Sequence, residues 1–569
     1  MKKQSILISL LAIACLVGCN SNSSNPGGGS SNVQPADKSL LVIEDFGTAK
    51  LEAEDFNTDG WTSDANYGGE VIIEENKASG GAYLAAADLG SGSEAKFSFE
   101  LKKFSRITIS AAYAQMEGDI AKAIDMSKTY DYNIESVSPL AFADGKNTLK
   151  ARSSATDWEL MPYIAQELYP GTYNVILSVK DEAVACPSID YLQFKTVDAS
   201  VQPVDPSKIT EADIPDNDMR NLQQYKYLMD EDVYSYKTYA TGGDFSAPRG
   251  MKLRFDDVES GNKYYVQVAE SEAALANAPV RETTENKVYT FHNAKLATKY
   301  YYRAATSEAA LANAKVYNIT STDVGPRVVY VPDVLNFRDI GGYKSTLVAG
   351  AKINQGLYFR CAQLDAATGS TKSCLSSDGK GHAALKELGI KCDIDMRDIG
   401  NQPNRGKGPS KTSTEDWPIT FVEAAVPSGS EPGRWEGATG TWMGTSCNIA
   451  EQYVKIFNAI ANCDNEPCML HCTYGADRTG IATFFLESLI GMEMEDMIRD
   501  YLWTQFTQGR SVKILESEGA EFPQWVSKTN NCEGDNFADK MENHLESFGI
   551  AHETLEHIRE IFVPGYVAK

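Results

Sequence analysis

Two spacings of apolar positions divide this chain. Between residues 45 and 200, apolar side chains recur at every second position, as at Phe97, Phe99 and Leu101 or at Ile107 and Ile109, in short runs broken by Gly, Asp and Ser. Period two sends successive side chains to opposite faces of a strand, so this stretch predicts an antiparallel β-sandwich. Residues 205–325 predict a second sandwich. Strand-like runs at 264–268 and 300–304 are each followed by the same octapeptide, SEAALANA, at 271–278 and 307–314. Two copies are too few for a solenoid, so they read as a duplicated strand-plus-turn device inside one module. From residue 326 onward the period lengthens to that of helices, at 449–461, 479–490, 494–506 and 551–562, with a buried-strand run at 390–396. Strands alternating with helices imply an α/β layer whose ligands sit at the carboxyl ends of the strands. The expected fold class is therefore multidomain: two all-β sandwich modules, 45–200 and 205–325, followed by an α/β domain, 326–569.

The first residues read differently. Lys2 and Lys3 precede an apolar run at 6–16 and then Val17, Gly18 and Cys19. That run is too short to span a bilayer, and its flanks are those of an export signal covering residues 1–19. Residues 20–44 are dominated by Ser, Asn, Gly and Pro and are expected to form a flexible tether. No later segment is long and apolar enough to cross a membrane. A formal net charge of −25 argues against a nucleic-acid partner, and it means that an anionic substrate must be drawn by a local cradle instead of the global field. Of the eleven cysteines, Cys15 and Cys19 belong to the signal, and export permits disulfides among the others without fixing their pairing. The six histidines form no metal pattern; His552 and His557 are five apart on a predicted helix and read as solvated residues.

The stretch richest in chemistry runs from Pro467 to Gly491. An apolar strand run ends at Leu470, a loop holds Cys472-x5-Arg478-Thr479-Gly480, and an apolar helix-like segment follows. A loop entering a helix N-terminus aims unpaired N–H groups and the positive end of the helix dipole at one spot, which suits an anion. A thiol placed there beside a guanidinium loses its proton readily and becomes a nucleophile. The planar fork of Arg478 suits two phosphate oxygens at once.

At these residues the chain resembles the cysteine-dependent protein tyrosine phosphatases, and in particular the atypical bacterial enzymes whose loop reads HCxxGKDRTG. The present loop runs from His471 to Gly480. Leu335 to Tyr343 is similar to that family's opening NFRDxGGY, Leu357 to Arg360 to its LYRS segment, and Asp393 to Arg397 to its DLR strand. The resemblance implies an α/β cysteine-phosphatase domain with Cys472 as nucleophile, Arg478 and the loop N–H groups holding phosphate oxygens, Asp477 as general acid and Thr479 hydrogen-bonding the sulfur. It assigns Thr473, Tyr474, Gly475 and Ala476, together with Arg338 and Asp339, to substrate binding, and His471 and Arg397 to support of the loop. Ala476 stands where the related enzymes carry Lys, so the extra cation that would favour polyanionic inositol lipids is missing. The Gly-, Pro- and Ser-rich segment 401–440 is expected to be a lid or specificity insert.

Upstream, the residues around Leu51, Gly80, Pro170 and Ile189 are similar to galactose-binding-like carbohydrate-binding modules. That likeness implies a structural calcium held by Glu52, Glu54 and Asp190, oxygen ligands that suit a hard cation clamping the terminal strands. Trp61, Tyr67, Tyr113 and Trp158 offer stacking faces for a glycan, yet aromatics in a small sandwich more often fill the core. Residues 297–303 resemble, loosely, a strand of fibronectin type III domains, which implies a spacer without chemistry. The start resembles a bacterial lipoprotein signal, which implies lipid on Cys19 and a place in the cell envelope. The expected activity is hydrolysis of phosphotyrosine-like phosphomonoesters, on a small molecule or a phosphoprotein, with no cofactor for catalysis. An inositol-phosphate phosphatase and a non-catalytic glycan- or ligand-binding lipoprotein stand as alternatives.

Overall fold

The computed structural model describes residues 40–60, 72–74, 82–84, 94–114, 130–136, 147–151, 159–179, 188–200, 205–230, 236–240, 243–365, 373–375, 378–397, 412–427, 431–442, 445–507 and 521–568. The expected export signal with Cys19, most of the expected tether, and Trp61, Tyr67 and Trp158 lie outside them, as do the side chains of Glu54, Tyr113 and Asp190. No helix among the described residues is long and apolar enough to cross a membrane.

The alternating runs of the first module pair into two six-stranded sheets. One is built on Glu94–Leu101 and Gly171–Val179, the other on Ser105–Ala114 and Ser188–Asp198. The period-two residues meet between them: Phe97, Phe99, Leu101, Ile107 and Ile109 are buried. Phe99 stacks on Tyr173 at 5.1 Å and tilts against Phe194 at 5.2 Å, so the aromatic content of these strands is spent on the core. The strand Gly47–Glu52 runs antiparallel to Ser188–Asp198 with Glu52 opposite Tyr191. Asp190 is the residue at which the register of the latter strand shifts against Ser105–Ala114, a β-bulge beside Glu52.

The middle module has a two-stranded sheet, Met251–Arg254 with Val288–Phe291, and a four-stranded one in the order Arg281–Thr283, Tyr264–Ala269, Lys299–Ala305, Val316–Thr320. The duplicated octapeptide forms two short 3-10 turns, Ala273–Asn277 and Glu308–Asn313, each driving one leucine, Leu275 or Leu311, into the core. The two strands that precede them pair with each other, and Arg303 links the copies by donating to Gln267 Oε1 at 2.9 Å and to the Ala312 carbonyl at 3.3 Å. The described residues 206–230 and 236–239 differ from the expected strands. They form helices, of which Leu222–Met229 is capped by Asn221 and buries Tyr227 against Trp503 and Phe506 of the C-terminal domain. Capping plus a tertiary aromatic contact overrides the sandwich reading there.

In the C-terminal domain a six-stranded sheet runs in the order Arg327–Val328, Arg338–Asp339, Tyr358–Cys361, Cys468–His471, Cys392–Asp395, Thr420–Glu423. Its last four strands are parallel. The expected helices appear as Ile449–Ile460, Asp477–Leu489, Met494–Trp503 and His552–Phe562. Asp477–Leu489 is buried on nearly every face, which accounts for its apolar residues all round.

Candidate active site

The central parallel strand Cys468–His471 ends at the sheet's carboxyl edge, and Cys472 opens the loop that turns into helix Asp477–Leu489. The backbone of that loop is oriented from outside. Backbone N–H of Gln363 donates to the Thr473 carbonyl at 3.2 Å, Asn336 Nδ2 to the carbonyls of Tyr474 and Gly475 at 3.1 and 3.2 Å, and Arg360 Nη2 to the Gly475 carbonyl at 2.9 Å. With its carbonyls drawn outward, the loop is left with N–H groups for the concave side. Gly475 has a φ of +66°, and a Cβ there would collide with the Cys361 backbone, so the turn requires glycine.

Cys472 is 2% exposed. Burial alone would push its thiol up, yet the pKa falls to about 6, because the Arg478 charge, the Thr479 hydroxyl and the N–H groups of Thr479 and Tyr474 together outweigh desolvation. The Thr479 hydroxyl has no oxygen or nitrogen partner among the described residues, which leaves it for the sulfur. Arg478 is buried and is held by carbonyls: Nη1 donates to Met396 and Val426, both at 3.2 Å, and Nη2 to Thr473 Oγ1 at 3.3 Å. Desolvation lowers its pKa while the neighbouring thiolate raises it. A buried guanidinium held by neutral acceptors keeps its positive charge for an incoming anion. Asp477 is the first residue of the helix, half-buried, directly before Arg478. Ala476 is buried against the same turn.

Behind the loop, His471 is buried with Nε2 3.0 Å from Asp393 Oδ1 and Nδ1 3.2 Å from the Cys472 carbonyl. Burial opposes its charge, but Asp395 and Asp393 more than offset that and raise its pKa to about 9, so it is an imidazolium at neutral pH. Arg397 sits on the far side of Asp395, with Nε and Nη2 on that carboxylate and Nη1 on Asp365 at 2.5 Å. His471 and Arg397 thus meet on Asp395, behind the strand end that carries Cys472.

Arg338 and Asp339 do not line the phosphate cradle. Arg338 is fully buried, with Nε on Asp500 Oδ1 at 2.6 Å, Nη1 on Asn336 Oδ1 at 2.6 Å and Nη2 on Thr504 Oγ1 at 3.2 Å. Asp339 accepts from Arg327 Nη1 at 2.5 Å and from the N–H groups of Gly341 and Gly356. All their strong partners are within the protein, so their role is to hold the Asn336 turn in place. Residues that the sequence reading gave no role complete this support: Asn336, Arg360 and Asp500. Asp500 takes Arg338 on one oxygen and Arg360 on the other, each at 2.6 Å. Asn336 and Arg360 stood inside recognised motifs, whereas Asp500 lies in an ordinary amphipathic helix with no local signal. Removing one partner of such a buried set typically costs ~3–5 kcal/mol, because a charge is stranded.

Of the 401–440 segment, the described parts contribute Val426, which holds Arg478, and Thr412, whose hydroxyl donates to Asp393 Oδ2 at 3.0 Å. Trp435 packs on Phe485 of the central helix at 5.3 Å and stacks on His544 at 4.1 Å. In the first module, Glu52 pairs with Lys50 at 3.0 Å.

Residues 329–563 match the family described as "Tyrosine phosphatase family". This part of the chain is a tyrosine-phosphatase-type hydrolase domain. No curated protein matches the chain. Among solved structures, a family 35 carbohydrate binding module from Clostridium thermocellum is similar at 15% identity over 26% of this chain and 98% of that one, with a TM-score of 0.20. The CBM35 from Cellvibrio japonicus Abf62 is similar at 15% identity over 26% and 91%, also with a TM-score of 0.20. Neither likeness bears on what this chain binds.

Proposed function

We propose that the chain is an exported, lipid-anchored phosphatase that hydrolyses phosphotyrosine-like phosphomonoesters through a phosphocysteine intermediate. The observation that carries this reading is the buried thiol of Cys472, lowered to about 6 by Arg478, Thr479 and loop N–H groups at the start of a helix. The thiolate attacks phosphorus and the P–O bond to the leaving group breaks, while Asp477 gives its proton to the departing phenolate. Arg478 and the N–H groups hold the three other oxygens as charge shifts. In the second half Asp477 takes a proton from water, the water oxygen bonds to phosphorus, and the P–S bond breaks to return the thiolate, which the Thr479 hydroxyl stabilises.

The buried methyl of Ala476 offers no second cation, which favours a monophosphate ester over an inositol polyphosphate. In the first module we propose a structural calcium on Glu52, Glu54 and Asp190; the pairing of Glu52 beside the Asp190 bulge supports it. The lipid on Cys19 and the cell-envelope location rest on the export signal. Turnover of p-nitrophenyl phosphate by the wild type, lost in Cys472→Ser, is the outcome expected for the enzyme. Turnover that survives Cys472→Ser overturns the mechanism.

A further inference from the structure

The turn that joins the last two helices gathers three ligating groups away from the phosphatase loop. Helix Phe537–Glu546 carries Glu542 and Glu546 four residues apart, hence on one face, and His552 is the first residue of helix His552–Phe562. His552 Nδ1 lies 2.9 Å from Glu542 Oε1 and 3.0 Å from Glu546 Oε1, and the three ligating atoms all fall within 4.8 Å of one another. One proton on Nδ1 cannot serve both carboxylates. It is shared with Glu546, and Glu542 Oε1 is left buried without a hydrogen bond in a residue only 8% exposed. The other oxygen of Glu542 is committed to Arg559 Nη1 at 2.6 Å. Glu556 and Asp539 also approach Arg559, at 2.7 and 3.6 Å, so four carboxylates surround one guanidinium and one imidazole. A buried carboxylate oxygen facing an imidazole nitrogen without a donor between them is a costly arrangement, and a cation between the two relieves it.

We propose that Glu542, Glu546 and His552 bind one divalent cation of the zinc type, which clamps the turn between the last two helices. The donor set decides the metal class. An imidazole nitrogen with two carboxylates suits Zn²⁺, whereas Ca²⁺ and Mg²⁺ prefer oxygen alone. The metal takes the place of the proton on His552 Nδ1, which leaves to solvent from an imidazolium or sits on Nε2 in the neutral ring, and the half-exposed side of the site leaves room for a water as fourth ligand. The consequence is mechanical. Phe537, at the start of the first of these helices, packs edge-on against Phe484 of the central helix at 6.2 Å, so the clamp steadies an element lying on the catalytic helix. The ligands come from two helices, which is why spacing along the sequence gave no metal pattern.

The test is a Zn²⁺ titration of the full chain in a Cys472→Ser background, where the reactive thiolate cannot compete, with the bound metal and the melting temperature as readouts. The expected result is one equivalent bound and a rise in melting temperature. That equivalent and that rise should vanish in His552→Ala and in Glu546→Gln. Both substitutions are on the surface side of the site, and the same changes in the otherwise wild-type chain should leave metal-free turnover of p-nitrophenyl phosphate intact, which serves as the check on folding. Zn²⁺ binding and stabilisation that persist undiminished in both variants, or a melting temperature indifferent to Zn²⁺ in the parent, overturn the proposal.

Discussion

The ionisation of Cys472 is the sharpest quantity this site offers. A thiol moved from 9.0 to about 6 has its anion favoured by ~4 kcal/mol, and this net value stands after burial has worked in the opposite direction. Arg478 is the largest favourable contributor, followed by the Thr479 hydroxyl and the two N–H groups. Replacing Arg478 with Met leaves burial uncompensated, so the midpoint of alkylation by iodoacetamide should climb from about 6 to 8 or above, with Thr479→Ala in between. The midpoint is a better readout than the rate. At pH 7 the wild type is roughly 90% thiolate and an ordinary thiol about 1%, but a thiolate's intrinsic nucleophilicity falls with its pKa at a Brønsted slope of about 0.4–0.5, which returns ~20-fold of that ~90-fold advantage. Rates at one pH would therefore differ only a few-fold and decide little. Measured across pH 4.5 to 10, with peptide mapping to assign the label to Cys472, the profile separates the cases. A wild-type midpoint at 8 or higher, or an Arg478→Met midpoint that does not move, would refute the electrostatic account.

Asp477→Asn should slow a phosphotyrosine peptide by about 10²–10⁴-fold and an ester with an activated leaving group far less, because an easily departing phenolate needs little protonation; equal slowing across a leaving-group series moves the acid elsewhere. His471, raised to about 9, contributes stability that is fully present below its unfolded value near 6.5 and is lost as pH rises through about 9. The lowered thiol of Cys472 contributes with the opposite slope, fully present above about 9 and lost as pH falls through about 6. Urea unfolding between pH 6.5 and 9.5 should thus be nearly flat in the wild type but decline with pH in Cys472→Ser; a flat Cys472→Ser profile contradicts a charged His471. Calcium should raise the melting temperature of the first module's transition in the wild type and not in Glu52→Ala plus Asp190→Ala, and no rise in either removes the calcium site.

Much of the loop was legible because its chemistry is local. Cys472, Arg478 and Thr479 act within eight residues, and the strand–loop–helix order that aims the N–H groups is written in the same stretch. The strand alternation around Phe97 and Ile107 was legible for a similar reason, since period two ties burial to adjacent positions. What escaped reading is held together across distance. Asp500 reaches Arg338 and Arg360 over 162 and 140 positions, and nothing in MEDMIRDYLW distinguishes a buried acid from a solvated one. Arg338 and Asp339 stand in a recognised motif, but their partners, Arg327, Asn336 and Asp500, lie on separate segments that no local pattern connects. The first helices of residues 205–325 were missed because Tyr227 is buried by Trp503 and Phe506, which no local pattern in that stretch contains.

That contact changes the role of the middle module from a spacer to a brace. Helix Met494–Trp503 supplies Asp500 to the support of the phosphate loop, and the same helix ends in Trp503, whose ring lies 5.9 Å from Tyr227. The Phe245 N–H donates to the Phe506 carbonyl at 2.7 Å, Arg499 lies over the Tyr227 ring, and Gln355 exchanges two hydrogen bonds with the Leu296 backbone, at 2.7 and 3.1 Å. Arg327, which neutralises Asp339, also donates to the carbonyls of Ala294 and Asn293 in the middle module. The opening motif and the Asp500 helix, which together orient the loop carbonyls, are thus each fastened on their outer side to residues before 300. One apolar core runs through both modules, and a helix bearing a buried charge needs that core to keep the charge aligned within hydrogen-bonding distance. Geometry at Cys472 is set, through Arg360 and Asn336, by packing that begins more than two hundred residues upstream.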